Sequence, residues 1–373
     1  MPATPQLRER SKPSLARRAR AAGMNPNHWY PAAFSEEVRR GGIVATRFWS
    51  QDVAVYRADD GSVHAMEDRC AHRGIKLSHG SVEGCRLVCL YHGWSYDPDG
   101  RLAEMKHDRF GKKLPVVSVD SYPTQERYGI IWFFPGDPER ARETPLVEIP
   151  HGDGADAWSS LHFAYTWRAH HSMVIDNLCN LTHLWVHGNW VPYGETVLAD
   201  SSAEGDKLTL TWRHDLRRDW MHPISSRVFE KVPGSNESET FMIYDYPYQS
   251  ALSNERIRSC NFMLPLDEKH TKVFTLQLWK EMPLPVVGRQ LMRLGTKVLL
   301  PVTREIFRQD GFTVEEEQVA YDARPEAPIP EPNPAVKQFN ELSVRKWDEH
   351  VSRGNGHAVT DAERREQRRV KRL

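Results

Sequence analysis

Two Cys/His couples, Cys70-Ala71-His72 and Cys89-Leu90-Tyr91-His92, constrain this chain more than anything else in it. Each couple sets a thiol and an imidazole two or three residues apart, so both can reach one metal centre from a tight loop. Gly74, Gly84 and Gly93 punctuate the same stretch. Lacking a Cβ, they let loop backbones close around a metal group and turn amides toward it. Two such loops in one β domain can converge. On spacing alone two centres stay open: a structural Cys2His2 zinc site, or an iron–sulfur cluster with two Cys on one iron and two His on the other.

The surrounding pattern supplies the β domain. Residues 42–46 and 53–56 are β-prone runs bounded by Asp59-Asp60-Gly61. Asp97-Pro98-Asp99-Gly100 is a turn between two strands, and residues 130–134 form an apolar run that stops at Pro135-Gly136. This defines an all-β domain over 26–140 that contains both couples. Residues 137–158, rich in Pro, Gly and acid, read as a linker. Beyond it the period changes. Residues 161–167, 207–212, 240–248, 256–264 and 272–279 read as strands, the last two joined by a hairpin at Asp267-Glu268-Lys269. Residues 174–187, 286–307 and 334–351 read as helices. An antiparallel sheet wrapped around long helices is an α+β domain of helix-grip type, placed at 155–352.

The ends differ from both domains. Residues 1–25 carry Arg8, Arg10, Lys12, Arg17, Arg18 and Arg20 without the apolar stretch of a secretory signal. They read as a disordered basic arm, with a transit peptide as the other reading. Residues 353–373 read as a solvated charged tail, with Arg364, Arg365, Arg368 and Arg369. A formal net charge of zero argues against nucleic acid or anionic membrane as a partner. No apolar run reaches the length of a membrane span. The five cysteines are odd in number and irregularly spaced, which suits a reducing cytoplasm better than a disulfide framework.

The wider wording narrows the first centre. Cys70-Ala71-His72-Arg73-Gly74, Cys89-Leu90-Tyr91-His92-Gly93-Trp94 and Tyr96-Asp97-Pro98-Asp99-Gly100 resemble the Rieske [2Fe-2S] domain of ring-hydroxylating oxygenases. The resemblance covers about residues 29–136. It implies that Cys70 and Cys89 hold one iron, that His72 and His92 hold the other, and that Trp94 packs over the cluster. Arg73 and Gly93 follow the couples, so the disulfide-bonded cysteines of respiratory Rieske proteins have no counterpart. Cys85 reads as a small residue near the loop.

A second constellation lies in Asp176-Asn177-Leu178-Cys179-Asn180-Leu181-Thr182-His183-Leu184-Trp185-Val186-His187. His183 and His187 are four residues apart, on one face of a helix, within reach of one metal. A 2-His-1-carboxylate site needs a distant acid, and Asp310 in Phe307-Arg308-Gln309-Asp310-Gly311 is the best donor. Glu315 to Glu317 read as a solvated acidic face. The resemblance to Rieske oxygenases extends here and implies a mononuclear Fe(II) held by His183, His187 and Asp310. Two departures stand out. The interval between the histidines is three residues where four is common, and Asn180 occupies the place of an Asp. In the family that Asp bridges a cluster His of one subunit to an iron-ligand His of the next. An amide oxygen accepts without carrying charge, so Asn180 is expected to keep the bridge while weakening its proton coupling. Asp176 is the rival for that task.

The chain resembles the phthalate dioxygenase-like group, with the vanillate and dicamba O-demethylases. The resemblance implies a head-to-tail homotrimer, a separate reductase with or without a ferredoxin, and O2 and a small molecule as substrates. The expected activity is O2-dependent hydroxylation or oxidative demethylation of an aromatic or polycyclic compound. The alternatives are a cis-dihydroxylating dioxygenase and an electron-transfer Rieske protein whose second domain lacks iron. Pocket walls are sought among Leu178, Trp185, Tyr244, Tyr246, Tyr248, Asn261, Phe262, Met263 and Trp279, positions that plain core packing would fill as well. Iron content separates these readings: about three irons per chain is expected for the oxygenase, against about two for the carrier. A zinc site would give no visible absorbance and no low-g EPR signal on reduction.

Overall fold

In the computed structural model the described residues are 13–153, 158–188, 190–191, 193–217, 236–280 and 287–352. The first domain is built from three small sheets. β1 (Tyr30–Phe34), β11 (Ile130–Phe133) and β10 (Thr124–Arg127) pair in that order. β2 (Ile43–Phe48), β3 (Gln51–Arg57), β4 (Val63–Glu67) and β9 (Ser121–Tyr122) form the second sheet. β5 (Ser81–Glu83), β6 (Arg86–Val88), β7 (Trp94–Tyr96) and β8 (Leu102–Met105) form the third. The first Cys/His couple follows β4, and the second fills the β6–β7 connection. The turn expected at residues 97–100 joins β7 to β8. Gly100 sits there at φ +81°, and a Cβ would come within 2.1 Å of the Val119 carbonyl oxygen, so only glycine fits.

The second domain is a single antiparallel sheet with helices on one face. Its order is β12 (Trp158–Trp167), β18 (His270–Lys280), β17 (Ile257–Asp267), β16 (Tyr248–Ser253), β15 (Glu237–Asp245), β14 (Lys207–Leu216) and β13 (Tyr193–Glu204). Alternate residues on each strand serve opposite faces. On one face Tyr165 stacks on Phe307 at 4.9 Å and Tyr244 meets Phe339 edge-on at 5.2 Å. These contacts seat α5 (Val287–Ala323) and α6 (Pro334–His350). On the other face the first domain docks. Phe34 packs on Phe274 at 5.1 Å, and Trp132 packs on Phe262 at 4.9 Å. Backbone bonds add to this: Trp49 N–H donates to Pro265 O (3.0 Å) and Ser50 N–H to Leu266 O (2.7 Å). With both faces covered, β17 is buried continuously from Cys260 to Pro265 rather than in alternation.

The fold corrects several expectations. Residues 240–248, read as one strand, are β15 and the start of β16, because Pro247 cannot donate to the ladder. β13 carried too many polar residues to be recognised. The helix expected to stop at residue 307 runs on to Ala323, so Asp310 is helical. The helix read over 174–187 breaks into α3 (His171–Cys179) and α4 (Leu184–His187). Within the linker, α2 (Pro138–Ala141) is N-capped by Asp137. The arm read as disordered is folded from residue 13 onward. Its α1 (Leu15–Ala19) is capped by the Ser14 hydroxyl and buries Ala16 and Ala19. Arg18 pairs with Asp348 at 2.9 Å, and Arg20 pairs with Glu317. A basic arm finds a fixed place here because α5 and α6 present acids to it. Residues 1–12 and the tail at 353–373 lie outside the described residues. Among the described residues no helix is long and apolar enough to cross a membrane.

Trp132 is fully buried where the domains meet. Trp132→Ala should cost about 3–5 kcal/mol. Urea unfolding should show a lower midpoint for both the cluster absorbance and the far-UV signal, with the two moving together.

Candidate metal centres

The first centre rests on two loops of matching geometry. Cys70 N–H donates to Ile75 O (2.8 Å) and Gly74 N–H to Cys70 O (2.9 Å). Cys89 N–H donates to Trp94 O (2.8 Å) and Gly93 N–H to Cys89 O (3.0 Å). Gly74 and Gly93 turn each loop at φ +73° and +64°. The loops bring the four sequence-predicted residues together. Cys70 and Cys89 are buried at 2% and 3% exposure, while His72 is exposed and His92 partly so. The two imidazoles lie 4.7 Å apart, and Trp94 stacks flat on His72 at 4.5 Å. Sulfur is inside and nitrogen outside. Cys85, in contrast, is exposed in the β5–β6 turn.

The donor set fits a metal cluster. Burial raises the Cys89 thiol above its ordinary range, and its hydrogen bond with Cys70 raises it further. Two adjacent thiolates at this depth need a cationic group between them. Tyr96 adds a support that spacing did not single out: its hydroxyl lies 3.2 Å from Cys70 Sγ and accepts from Ala71 N–H at 3.0 Å. The imidazole side faces solvent.

The second centre gathers His183, His187 and Asp310, whose donor atoms all lie within 4.8 Å of one another. Asp310 Oδ1 is 3.2 Å from His183 Nε2 and 3.3 Å from His187 Nε2. The histidines reach this geometry across a break rather than along one helix. α3 ends at Cys179, Asn180 is extended, and His183 caps the one-turn α4 that ends in His187. Asp310 arrives on α5, and Gly311 beside it lets that helix lie against β12. A Cβ at Gly311 would come within 2.5 Å of Trp167 Nε1.

Asp310 is almost fully buried. Burial alone would raise its pKa, but hydrogen bonds with His183 and His187 outweigh it and hold the carboxyl below its ordinary range. For His187 burial lowers the pKa, and the Asp310 carboxylate and Gln309 amide outweigh that and raise it. Two imidazoles aimed at one carboxylate in a buried place form the donor set of a facial triad and fit a mononuclear iron. Asn177 Nδ2 also reaches Asp310 Oδ1, at 3.5 Å.

Sequence reasoning missed Gln309. Its Oε1 lies 3.1 Å from His187 Nδ1, and its amide N–H donates to Glu305 at 3.0 Å. It therefore orients the ring whose other nitrogen faces Asp310. Its position next to Asp310 was the only available signal. Asn180 is engaged within its own chain. Its Oδ1 accepts from Thr182 N–H (3.0 Å), Thr182 Oγ1 (2.6 Å) and Asn333 Nδ2 (2.9 Å). The oxygen expected to bridge imidazoles of neighbouring subunits closes the turn that follows α3 and ties it to the start of α6. Asp176 faces Arg20, Glu317 and Asn340 instead of the histidines. Glu315 is not simply solvated, since it takes the Arg168 guanidinium at 2.8 Å. Of the expected pocket walls, Trp185 is 97% exposed, and Tyr248 and Phe262 pack on Trp132 of the first domain. Asn261 and Trp279 lie on the helix-facing side.

Comparisons with known proteins agree with this geometry. Residues 28–123 match the Rieske [2Fe-2S] domain, and residues 167–350 match the vanillate O-demethylase oxygenase C-terminal domain. The 4beta-methylsterol monooxygenase of Methylococcus capsulatus is 34% identical over 351 residues, 91% of this chain and 94% of that protein. The chain belongs to the Rieske non-haem iron oxygenases, oxidoreductases that use a Rieske [2Fe-2S] cluster and a non-haem iron. A vanillate O-demethylase oxygenase subunit from a Pseudomonas species is 38% identical over 164 residues, 43% of this chain and 48% of that one. The crystal structure of dicamba monooxygenase bound to dicamba shares the fold. Its TM-score is 0.72 at 18% identity, over 89% of this chain and 100% of that chain.

Gln309→Leu removes the group that orients His187. Fe(II) affinity at the second centre should fall by about 10–100-fold. Iron titration followed by EPR would show this, with the visible spectrum of the cluster unchanged.

Proposed function

We propose that this chain is the terminal oxygenase of a multicomponent monooxygenase. It hydroxylates or oxidatively demethylates a polycyclic, methyl-bearing small molecule. One observation carries the reading: a Cys2His2 set and a His2Asp set are each assembled in a separate domain of one chain. In this reading Cys70 and Cys89 hold one iron of the cluster, and His72 and His92 hold the other. His183, His187 and Asp310 hold the mononuclear iron. When bound, these groups supply one-electron transfer and O2 activation. The protein's own share is positional. Tyr96 and Trp94 fix the cluster loops, Gln309 orients His187, and Asn177 steadies Asp310. The full-length likeness to a methylsterol monooxygenase supports a polycyclic substrate over a simple aromatic acid.

The electron donor in this reading is a separate reductase, with or without a ferredoxin. The assembly is a head-to-tail homotrimer. Exposed apolar surface supports it: Leu90 and Tyr91 beside His92 are 70% and 55% exposed, and Trp185 beside the iron ligands is 97% exposed. Copies docked head to tail would cover both patches and bring one chain's cluster near the next chain's iron. Five free cysteines support a cytoplasmic setting.

The test is turnover with a surrogate reductase and ferredoxin. Methylated polycyclic compounds should gain one oxygen with O2 consumption, and Asp310→Ala should abolish product while leaving the cluster spectrum intact. Sedimentation should give a trimer mass. Peroxide without product from every polycyclic compound offered would overturn the reading.

A further inference from the structure

The face of the large sheet that looks toward the iron-ligand helices is free of charge. Register defines it: Phe163, Thr275, Asn261 and Gln249 stand in one row across four strands, and alternate residues share their side. Read this way, every residue on that face of β12 and of β14 to β18 is uncharged apart from His214 and from Asp267, which lies past the register shift at the β17–β18 hairpin. His214 is neutral as well. Its ring nitrogens meet Thr196 Oγ1 at 2.8 Å and Thr240 Oγ1 at 3.1 Å, and burial lowers its pKa to about 4. Basic residues of the inner strands, such as Arg258 and Lys272, have the opposite parity. A carboxylate or sulfonate brought against such a wall would lose its hydration, and no described strand residue of this face offers a cation to replace it. An uncharged substrate meets no such barrier.

Within this wall one run of polar groups is satisfied, whereas Tyr165 Oη and Trp212 Nε1 on the same face have no hydrogen-bond partner among the described residues. Thr275 Oγ1 donates to Asn261 Oδ1 (2.7 Å), Asn261 Nδ2 to Gln249 Oε1 (2.6 Å), and Gln249 Nε2 to Leu178 O (3.5 Å). The next two residues along the same face of β18 break the pattern. Gln277 Oε1 and Trp279 Nε1 are buried, and neither has a hydrogen-bond partner among the described residues. One is an acceptor and the other a donor, on neighbouring positions of one strand face. A single alcohol group satisfies both, its O–H donating to Gln277 and its oxygen accepting from Trp279. A ketone accepts from Trp279 but leaves Gln277 unpaired, and a hydrocarbon leaves both unpaired.

We propose that Gln277 and Trp279 are specificity-determining residues that clamp the hydroxyl group of an uncharged polycyclic alcohol. This rests on the oxygenase reading above and names the chemistry of its substrate.

The experiment uses the holoenzyme and three matched compounds: a methylsterol with one ring hydroxyl, the corresponding ring ketone, and the deoxygenated hydrocarbon. Dissociation constants are measured on the resting enzyme, and turnover is measured separately. The alcohol should bind about 5- to 150-fold tighter than the ketone. Gln277→Leu should bring that ratio close to one by weakening the alcohol alone. Trp279→Phe should weaken alcohol and ketone together and leave the hydrocarbon unchanged. Equal affinity for alcohol and ketone in the unsubstituted enzyme overturns the clamp, as does a ratio that survives both substitutions. If turnover persists in either case, the oxygenase reading stands without it. If the alcohol binds with the expected preference but no compound is oxidised, the clamp stands and the oxygenase reading fails.

Discussion

The burial of one β-sheet on both faces is the constraint on which the rest of this protein depends. Phe262 and Phe274 point toward the cluster domain and meet Trp132 and Phe34. Their neighbours on the same strands point the other way, toward the helices. Aromatic edge-to-face packing of this kind is directional as well as apolar, so it sets how the domains sit and not just that they associate. Backbone bonds from the Trp49–Ser50 turn to β17 lock the register further. The two domains are therefore packed against each other across one sheet.

The two metal centres are built by contrasting means. The first uses short β connections with glycines at positive φ, which hold sulfur inside and imidazole outside. The second uses a helix that stops, an extended residue, and a one-turn helix, closed by a carboxylate from a helix far along the chain. The interruption at Asn180 is functional architecture in this sense. A continuous helix would have run His183 and His187 onward with α3, whereas the break turns them toward α5. Asn180 serves the break by closing the turn onto Thr182 and by joining it to Asn333 at the start of α6. The N-terminal segment contributes to the same region. His171 Nε2 meets Ala22 O at 2.8 Å, so the N-terminal segment ties down the start of α3.

Legibility differed with range. The cluster loops could be read because each donor pair is local, with Cys70 near His72 and Cys89 near His92, and because the glycines that close the loops sit beside them. The strands with alternating or continuous apolar character were also visible. β13 was not, since an exposed edge strand carries polar residues that look like loop. The break in the helix at 180 was hidden as well, because apolar periodicity continues through Leu181 and Leu184 while the turn depends on Asn333, more than a hundred residues away. Gln309 could not be found without structure, since only the His187 ring beside it gives it a task.

Sequence alone determined the chemistry available to this protein: which donor atoms exist, that they come as a sulfur–nitrogen set and a nitrogen–oxygen set, and that two domains carry them. Those properties depend on residue identity and short spacing, which the chain states directly. Tertiary structure decided how the donors are used. It brought Asp310 to the histidines, turned the Asn180 oxygen inward, fastened the basic N-terminal segment to the acids of α5 and α6, and left Gln277 and Trp279 unpaired on an uncharged wall. Each of these depends on which strand face or helix side meets another across long separations, and that is fixed by packing rather than by any local run of residues.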